Sequence, residues 1–200
     1  MYPFEALNRT LFQQLNGQPG ASPALVALAA DLADYLILAI PLLLIVLWLR
    51  GGRQGRETAL KALCVTMLAL GIGQLIAVLL PHPRPFMIGL GHAWLVHAPD
   101  PSFPSDHATV FASVALSLML DGAVALAVAT FLAGVAVAWA RIFLGVHFPF
   151  DMLGAVLVAT LSAALLAPLW RRMGTRLSDH AERLYRFIFA RLITAGVLRS

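Results

Sequence analysis

Five stretches of the chain are apolar almost without interruption, roughly 24–49, 58–80, 105–120, 123–141 and 149–168. A helix that crosses the ~30 Å hydrocarbon core of a bilayer needs about 20 such residues. Four of the stretches meet that length. The third is short and carries His107 near its start, but Ala108 to Leu120 is apolar and polar loops flank it, so it is read as a fifth crossing. Two further segments alternate at helical spacing instead. Residues 3–16 place Phe4, Leu7, Leu11 and Leu15 on one face. Residues 176–193 do the same with Leu177, Ala181, Leu184, Ile188 and Leu192, with Arg176, Glu182, Arg183 and Arg186 elsewhere. Such patterns suit amphipathic helices lying at a membrane surface. The pattern therefore predicts an all-α integral membrane protein. It is a bundle of about five transmembrane helices, with room for a sixth, and amphipathic interfacial helices at both termini. Residues 1–200 read as a single membrane-embedded domain.

Composition agrees with this. The 200 residues are 60% hydrophobic and 12% charged, with mean hydropathy +0.83. A soluble domain carries about 25% charged residues. The single cysteine, Cys64, excludes an internal disulfide and a thiolate metal cluster. The N-terminus lacks the basic stretch and short apolar core of a cleavable signal. The net charge of +4 matters less than its placement. Arg50, Arg53, Arg56 and Lys61 cluster between the first two spans, and Arg171, Arg172 and Arg176 follow the fifth. Lys and Arg favour cytoplasmic loops, and five spans put both clusters on that side. The N-terminus and the loops 81–104 and 142–148 then face outward. Trp48, Trp94, Trp139 and Trp170 fall near span ends or in the outer loop, as interfacial aromatics do. Asp31 and Asp34, three apart in the first span, are expected to face protein or outer water.

The outward side gathers three polar clusters: PHPRPF (81–86), PSFPSDHAT (101–109) and ARIFLGVHFPFD (140–151). Ionisable groups at membrane depth are costly, so together they point to a function. Arg84 and Arg141 offer fixed cationic forks suited to phosphate oxygens. Ser105 follows Pro104 at a helix start, where an N-cap and free N–H groups favour an anion. His107 falls in the first turn of that helix. His147 and Asp151 are four apart across Pro149, so a carboxylate can orient an imidazole. Two arginines, a helix N-terminus, two histidines and one carboxylate suit phosphoryl transfer through a phosphohistidine. Taken singly, each residue has a plainer reading: an interfacial arginine anchor, a loop histidine, a local His–Asp hydrogen bond. His82, His92 and His97 share one loop but match no metal-ligand spacing, so no metal and no cofactor are expected.

Arg84-Pro85, Pro104-Ser105-Asp106-His107 and Arg141 with His147 and Asp151 resemble the motifs of the type 2 phosphatidic acid phosphatase superfamily of membrane lipid phosphatases. The likeness covers about residues 70–155. It implies that His147 attacks phosphorus, that Asp151 orients it, and that His107 protonates the leaving oxygen. Arg84, Arg141 and Ser105 would hold the phosphoryl oxygens, with Asp106 beside them in the same phosphate-binding stretch. Three positions depart from the family pattern. Ala77 stands where a lysine is expected, Asp106 where a glycine is, and Ala140 where a serine is. Gln74 or His82 could replace part of the lysine contact. Asp106 could face water, pair with an arginine or tune His107.

The short length and the HPRPF and FPSDHA runs resemble the bacitracin-resistance group of undecaprenyl-diphosphate phosphatases. The implied substrate is an isoprenoid diphosphate in a bacterial inner membrane, hydrolysed at the outer face to the monophosphate. The expected partners are an isoprenoid or phospholipid phosphate and the bilayer, not nucleic acid. A phosphatidic acid or phosphatidylglycerophosphate phosphatase is an alternative from the same class. A non-catalytic lipid-phosphate carrier or exporter subunit is one from another class, which would not need the His147–Asp151 pair.

Overall fold

The computed structural model describes residues 3–195. Helices α1 (Pro3–Leu15), α2 (Pro23–Tyr35), α3 (Ala39–Arg50) and α4 (Gly52–Leu79) are followed by the long loop 80–105. Then come α5 (Asp106–Leu120), α6 (Val124–Phe143), α7 (Pro149–Ile188) and the short α8 (Ala190–Thr194). No strand occurs among the described residues.

The first apolar stretch is one continuous rod from Pro23 to Arg50, tightened to a 3-10 turn over Leu36–Leu38. Pro41 accounts for this turn. It lacks an N–H for the Ile37 carbonyl, and its ring crowds the preceding turn. Helix α4 begins six residues before the expected 58, because the Gly51-Gly52 corner turns the chain at once. Gly52 takes the left-handed φ of +60°, which costs glycine little.

Four rods are long and apolar enough to cross a membrane: Pro23–Arg50, Gly52–Leu79, Val124–Phe143 and Pro149–Ile188. Helix α5 sits at the centre, packed against α4, α6 and α7. Its first residue, Asp106, accepts from Gln74 near the end of α4. Asp121, just past its last turn, accepts from Thr58 at 2.8 Å and pairs with Lys61 near the start of α4. It thus runs antiparallel to α4 along the middle of that helix. Its 15 residues span only ~22 Å, so its N-terminus is sunk below the bundle's end.

Small residues let α5 pack closely. A Cβ on Gly134 of α6 would lie 2.7 Å from the Cβ of Phe111. Phe111, Val114 and Leu118 of α5 meet Ala62 of α4 and Ala127 and Val137 of α6 in one core. On α7, Ala155, Ala159 and Ser162 are buried, while Leu153, Leu157, Leu161 and Leu165 form an exposed stripe at i, i+4 spacing. This is an apolar outer face over a small-residue interior, as expected when lipid is the solvent. The protein is a multi-pass membrane protein.

The C-terminal expectation is corrected. The fifth span and the amphipathic segment 176–193 are not separate: α7 runs unbroken for 40 residues through Pro168, ~60 Å in all. Pro168 frees only one carbonyl, which membrane helices tolerate. Contacts from the α3–α4 corner hold the extension: Arg56 lies 3.5 Å from Glu182 and over the Tyr185 ring, and Trp48 meets Tyr185 edge-on. The face packed inward is Gly174, Ser178 and Tyr185, while Leu177, Leu184 and Ile188 are exposed.

The N-terminal helix forms where expected, but its anchoring residues differ. Phe4, Leu7 and Leu15 stay exposed, and Asn8 and Phe12 are buried. Asn8 Oδ1 accepts the Phe150 N–H at 3.0 Å, in the first turn of α7. Asn16, just past α1, donates to the carbonyls of His92 (2.9 Å) and Phe143 (3.0 Å) and accepts from the His92 N–H at 2.7 Å. One amide thus ties α1, the long loop and the end of α6 together. Asp31 and Asp34 are exposed on α2, flanking the buried Ala29 and Ala33.

Candidate active site

The end of α4, the loop 80–105, the start of α5, the end of α6 and the start of α7 converge at one end of the bundle. The turn between α6 and α7 is tight. Val146 N–H returns to the Arg141 carbonyl at 3.1 Å, and Gly145 adopts φ +82°. A Cβ there would lie 2.4 Å from the His92 carbonyl oxygen, so glycine is required twice over. This turn delivers His147 to the interior just before α7 starts at Pro149.

Asp151, in the first turn of α7, gathers three donors on Oδ2. They are the Phe148 N–H at 2.7 Å, the Ser102 hydroxyl, and His147 Nδ1 at 3.1 Å. The other ring nitrogen, Nε2, faces Arg84 Nη1 at 3.0 Å. A guanidinium only donates and a carboxylate only accepts. His147 is therefore the Nδ1–H tautomer, with its Nε2 lone pair directed away from Asp151. Desolvation first, then the charges of Arg141 and Arg84, hold its pKa well below the usual 6.5. A buried imidazole kept neutral with one lone pair fixed is a nucleophile in waiting.

A cavity of about 170 Å³ opens beside it, lined in part by Arg84, His107, Arg141, His147, Asp106 and Gln74. Arg84 is buried and braced. Its Nε donates to the Asp100 carbonyl (3.1 Å) and carboxylate (3.0 Å), and its Nη1 also reaches the Val146 carbonyl at 2.9 Å. Burial would raise the Asp100 pKa, but the hydrogen bond and charge of Arg84 leave it lowered. Arg141, near the end of α6, donates from Nη2 to His97 Nε2 at 3.1 Å, and its buried Nε has no partner.

All seven residues singled out from the sequence, Arg84, Ser105, Asp106, His107, Arg141, His147 and Asp151, come to this one end. Two behave differently in detail. Ser105 occupies the N-cap position of α5 but makes no capping bond: its N–H goes to the Asp151 carbonyl at 3.3 Å, and its buried Oγ is unpartnered. Asp106 pairs with neither arginine. Both of its oxygens accept from Gln74 Nε2 at 3.2 Å. Gln74 and Ala77 both line the cavity, whereas His82 packs on Phe148 and lies 3.5 Å from Glu5. The three loop histidines are dispersed: His82 on Phe148, His92 on Trp94 and His97 on Arg141.

Ser102 and Asp100 were not singled out from the sequence, and His97 was weighed there only as a metal ligand, with His82 and His92. The one signal for Ser102 was its place two residues before the Pro104-Ser105 motif, in a loop that must be buried if that motif is. Asp100 had no signal beyond being ionisable in the outer loop, and His97 none that tied it to the arginines.

The PAP2 superfamily model matches residues 58–174, and the chain belongs to that superfamily. It is 36% identical over 201 residues, 98% of this chain and 99% of the other, to a protein of Escherichia coli (strain K12) named "Putative undecaprenyl-diphosphatase YbjG". It is 30% identical over 154 residues, 76% of this chain and 79% of the other, to undecaprenyl-diphosphatase BcrC of Bacillus subtilis (strain 168). The fold matches crystal structures of Aquifex aeolicus LpxE and of a transmembrane PAP2-type phosphatidylglycerolphosphate phosphatase from Bacillus subtilis. The first has a TM-score of 0.66 at 23% identity, covering 80% of this chain and 93% of the other. The second has a TM-score of 0.62 at 19% identity, covering 86% and 88%.

Proposed function

We propose that the protein hydrolyses undecaprenyl diphosphate to undecaprenyl phosphate and inorganic phosphate, returning the lipid carrier to cell-wall synthesis. One observation carries the chemistry: His147 is held by Asp151 through Nδ1 and presents Nε2 to a cavity that also holds Arg84, Arg141 and His107. The names of the near full-length relatives carry the choice of lipid.

The terminal phosphate enters the cavity and takes the guanidinium donors, and Arg84 Nη1 moves from His147 Nε2 to a phosphoryl oxygen. Nε2 then attacks phosphorus, and the bond to the bridging oxygen breaks. The electron pair leaves with undecaprenyl phosphate, and His107 supplies a proton to that oxygen. Asp151 stabilises the imidazolium formed on His147. In the second half, His107 takes a proton from water, the water attacks the phosphohistidine, and the P–N bond breaks to release phosphate. The arginines and the first-turn N–H groups of α5 hold the charge on the phosphoryl oxygens throughout.

The site faces the periplasm or cell exterior of a bacterial inner membrane. The support is charge. Arg50, Arg53, Arg56, Lys61, Arg171, Arg172 and Arg176 belong to the opposite end of the bundle, and basic residues mark the cytoplasmic side.

The test is phosphate release by purified protein in detergent with EDTA present. Undecaprenyl diphosphate and phosphatidic acid are compared, with His147→Ala as control. Release from the diphosphate that the variant abolishes is expected. Faster release from phosphatidic acid would transfer the reading to a phospholipid phosphatase. Release from neither would leave a lipid-phosphate carrier.

A further inference from the structure

Arg84 and Arg141 are joined by more than proximity. The chain of contacts runs His147–Arg84–Asp100–His97–Arg141. Arg84 Nε reaches Asp100 Oδ1 at 3.0 Å, the same oxygen lies 3.4 Å from His97 Nδ1, and His97 Nε2 accepts from Arg141 Nη2 at 3.1 Å. His97 and Asp100 both line the cavity. Arg84 spends Nε and Nη1 on protein acceptors within 3.1 Å and Nη2 on the Pro101 carbonyl at 3.4 Å. Arg141 is only 4% exposed, yet its Nε has no acceptor. A buried, charged donor without a partner is costly and awaits an anion. Arg84 and Arg141 thus line one cavity with His147, and His97 adjoins that anion site through Arg141.

We infer that His97 is a substrate-binding residue, positioned by Asp100, which holds the second, lipid-proximal phosphate of a diphosphate headgroup beside Arg141, while Arg84 and Arg141 stay on the attacked phosphate. The inference rests on the phosphatase reading above and deepens it by assigning the group that separates diphosphate from monophosphate substrates. The attacked phosphate must lie against His147 Nε2 and takes Arg84 and Arg141, which line the cavity with it. The second phosphate is bonded to the first, so it needs a contact of its own next to the arginines, and His97 lines the same cavity in hydrogen-bond contact with Arg141. His97 now accepts from Arg141. When a phosphate oxygen takes that Arg141 donor, the freed His97 Nε2 can carry a proton to the same anion while Nδ1–H stays toward Asp100 Oδ1. The cavity of about 170 Å³ is below the ~300–1,000 Å³ of pockets that enclose drug-sized ligands. It therefore takes a headgroup and leaves the tail in lipid.

The test is calorimetric titration of the full-length protein in detergent with inorganic pyrophosphate and with orthophosphate, beside turnover of undecaprenyl diphosphate. The wild-type protein is expected to bind pyrophosphate more tightly than orthophosphate. His97→Ala is expected to weaken pyrophosphate about ten-fold, the effect of one charge-assisted hydrogen bond, and orthophosphate by less than about two-fold. His97→Lys restores the preference. Asp100→Asn weakens pyrophosphate in the same sense, and it carries the test if His97→Ala does not fold. Equal loss for both anions, or none for either, overturns the inference. The function reading fails separately. A wild-type protein that turns over no lipid, yet loses pyrophosphate selectively on His97→Ala, retains the diphosphate station without the phosphatase. An active wild type whose pyrophosphate affinity ignores His97 retains the phosphatase without the station.

Discussion

Arg84 Nη1 stands 3.0 Å from His147 Nε2 while Asp151 holds the opposite nitrogen at 3.1 Å. One imidazole is thus gripped at both ends, by a cation that can only donate and an anion that can only accept. The pairing sets the tautomer and aims the lone pair before any substrate arrives. Arg84→Lys keeps the charge but loses the planar fork that reaches Val146, Asp100 and His147 together. Its kcat is expected to fall about 10²–10³-fold, the usual effect of removing one transition-state donor. An unchanged kcat would show that charge alone suffices.

Asp151 and Ser102 act on that tautomer from behind. Asp151→Asn presents an amide that can donate to Nδ1 and so favours the wrong tautomer. A fall in kcat of about 10⁴-fold is expected, as for a triad carboxylate. Ser102→Ala removes one of three donors on Asp151 Oδ2 and should lower stability by about 1–3 kcal/mol, with a smaller rate loss. Thermal unfolding in detergent beside kcat checks both. A Ser102→Ala protein as stable as the wild type would mean that the remaining donors suffice.

The pH dependence follows from His147. Burial and the two arginines depress its folded pKa well below 6.5, so the folded protein keeps it neutral where the unfolded chain protonates it. The unfolded state then binds more protons, and stability falls as pH drops below about 6.5. Above that pH the contribution is fully present. The acid limb of kcat/KM, which reports free enzyme, should therefore lie clearly below pH 6.5. The alkaline limb belongs to kcat, which reports the substrate complex, and marks loss of the proton that His107 donates once a phosphate lies beside it. A profile that is flat from pH 5 to 9 would contradict the acid–base assignment.

The leaving group distinguishes substrates through His107. Expelling a phosphate monoester, whose second pKa is about 6, needs little help from an acid, whereas expelling an alkoxide needs a proton. His107→Ala should therefore slow a lipid monophosphate at least ten-fold more than a diphosphate of the same tail, within the 10²–10⁴-fold range of general acid catalysis. Parallel kcat values on farnesyl phosphate and farnesyl diphosphate would show it. Equal losses would assign His107 to binding rather than proton transfer.

Much of this was legible in the sequence because it was local. The i, i+4 relation of His147 and Asp151, the Pro-Ser start of α5 and the runs that cross the membrane all depend on neighbours in the chain. What was not legible depends on distant segments. Ser102 meets Asp151 across 49 positions and His97 meets Arg141 across 44, and nothing in the loop sequence marks such partners. The sequence left Asp106 open between water, an arginine and His107, and its partner is Gln74, 32 residues earlier. The unbroken α7 was hidden for a different reason. The shift to charged residues after 168 read as an end, but contacts from Arg56 and Trp48 of other helices hold the continuation in place.

The central claim is that His147 carries the phosphoryl group. Protein mixed with undecaprenyl diphosphate radiolabelled in its terminal phosphate, and quenched in denaturant within milliseconds, should hold label that survives alkali and is lost in acid. Peptide mapping should put that label on His147, and His147→Ala should show none. Turnover with no trapped label in wild type, or label on another residue, would contradict the account.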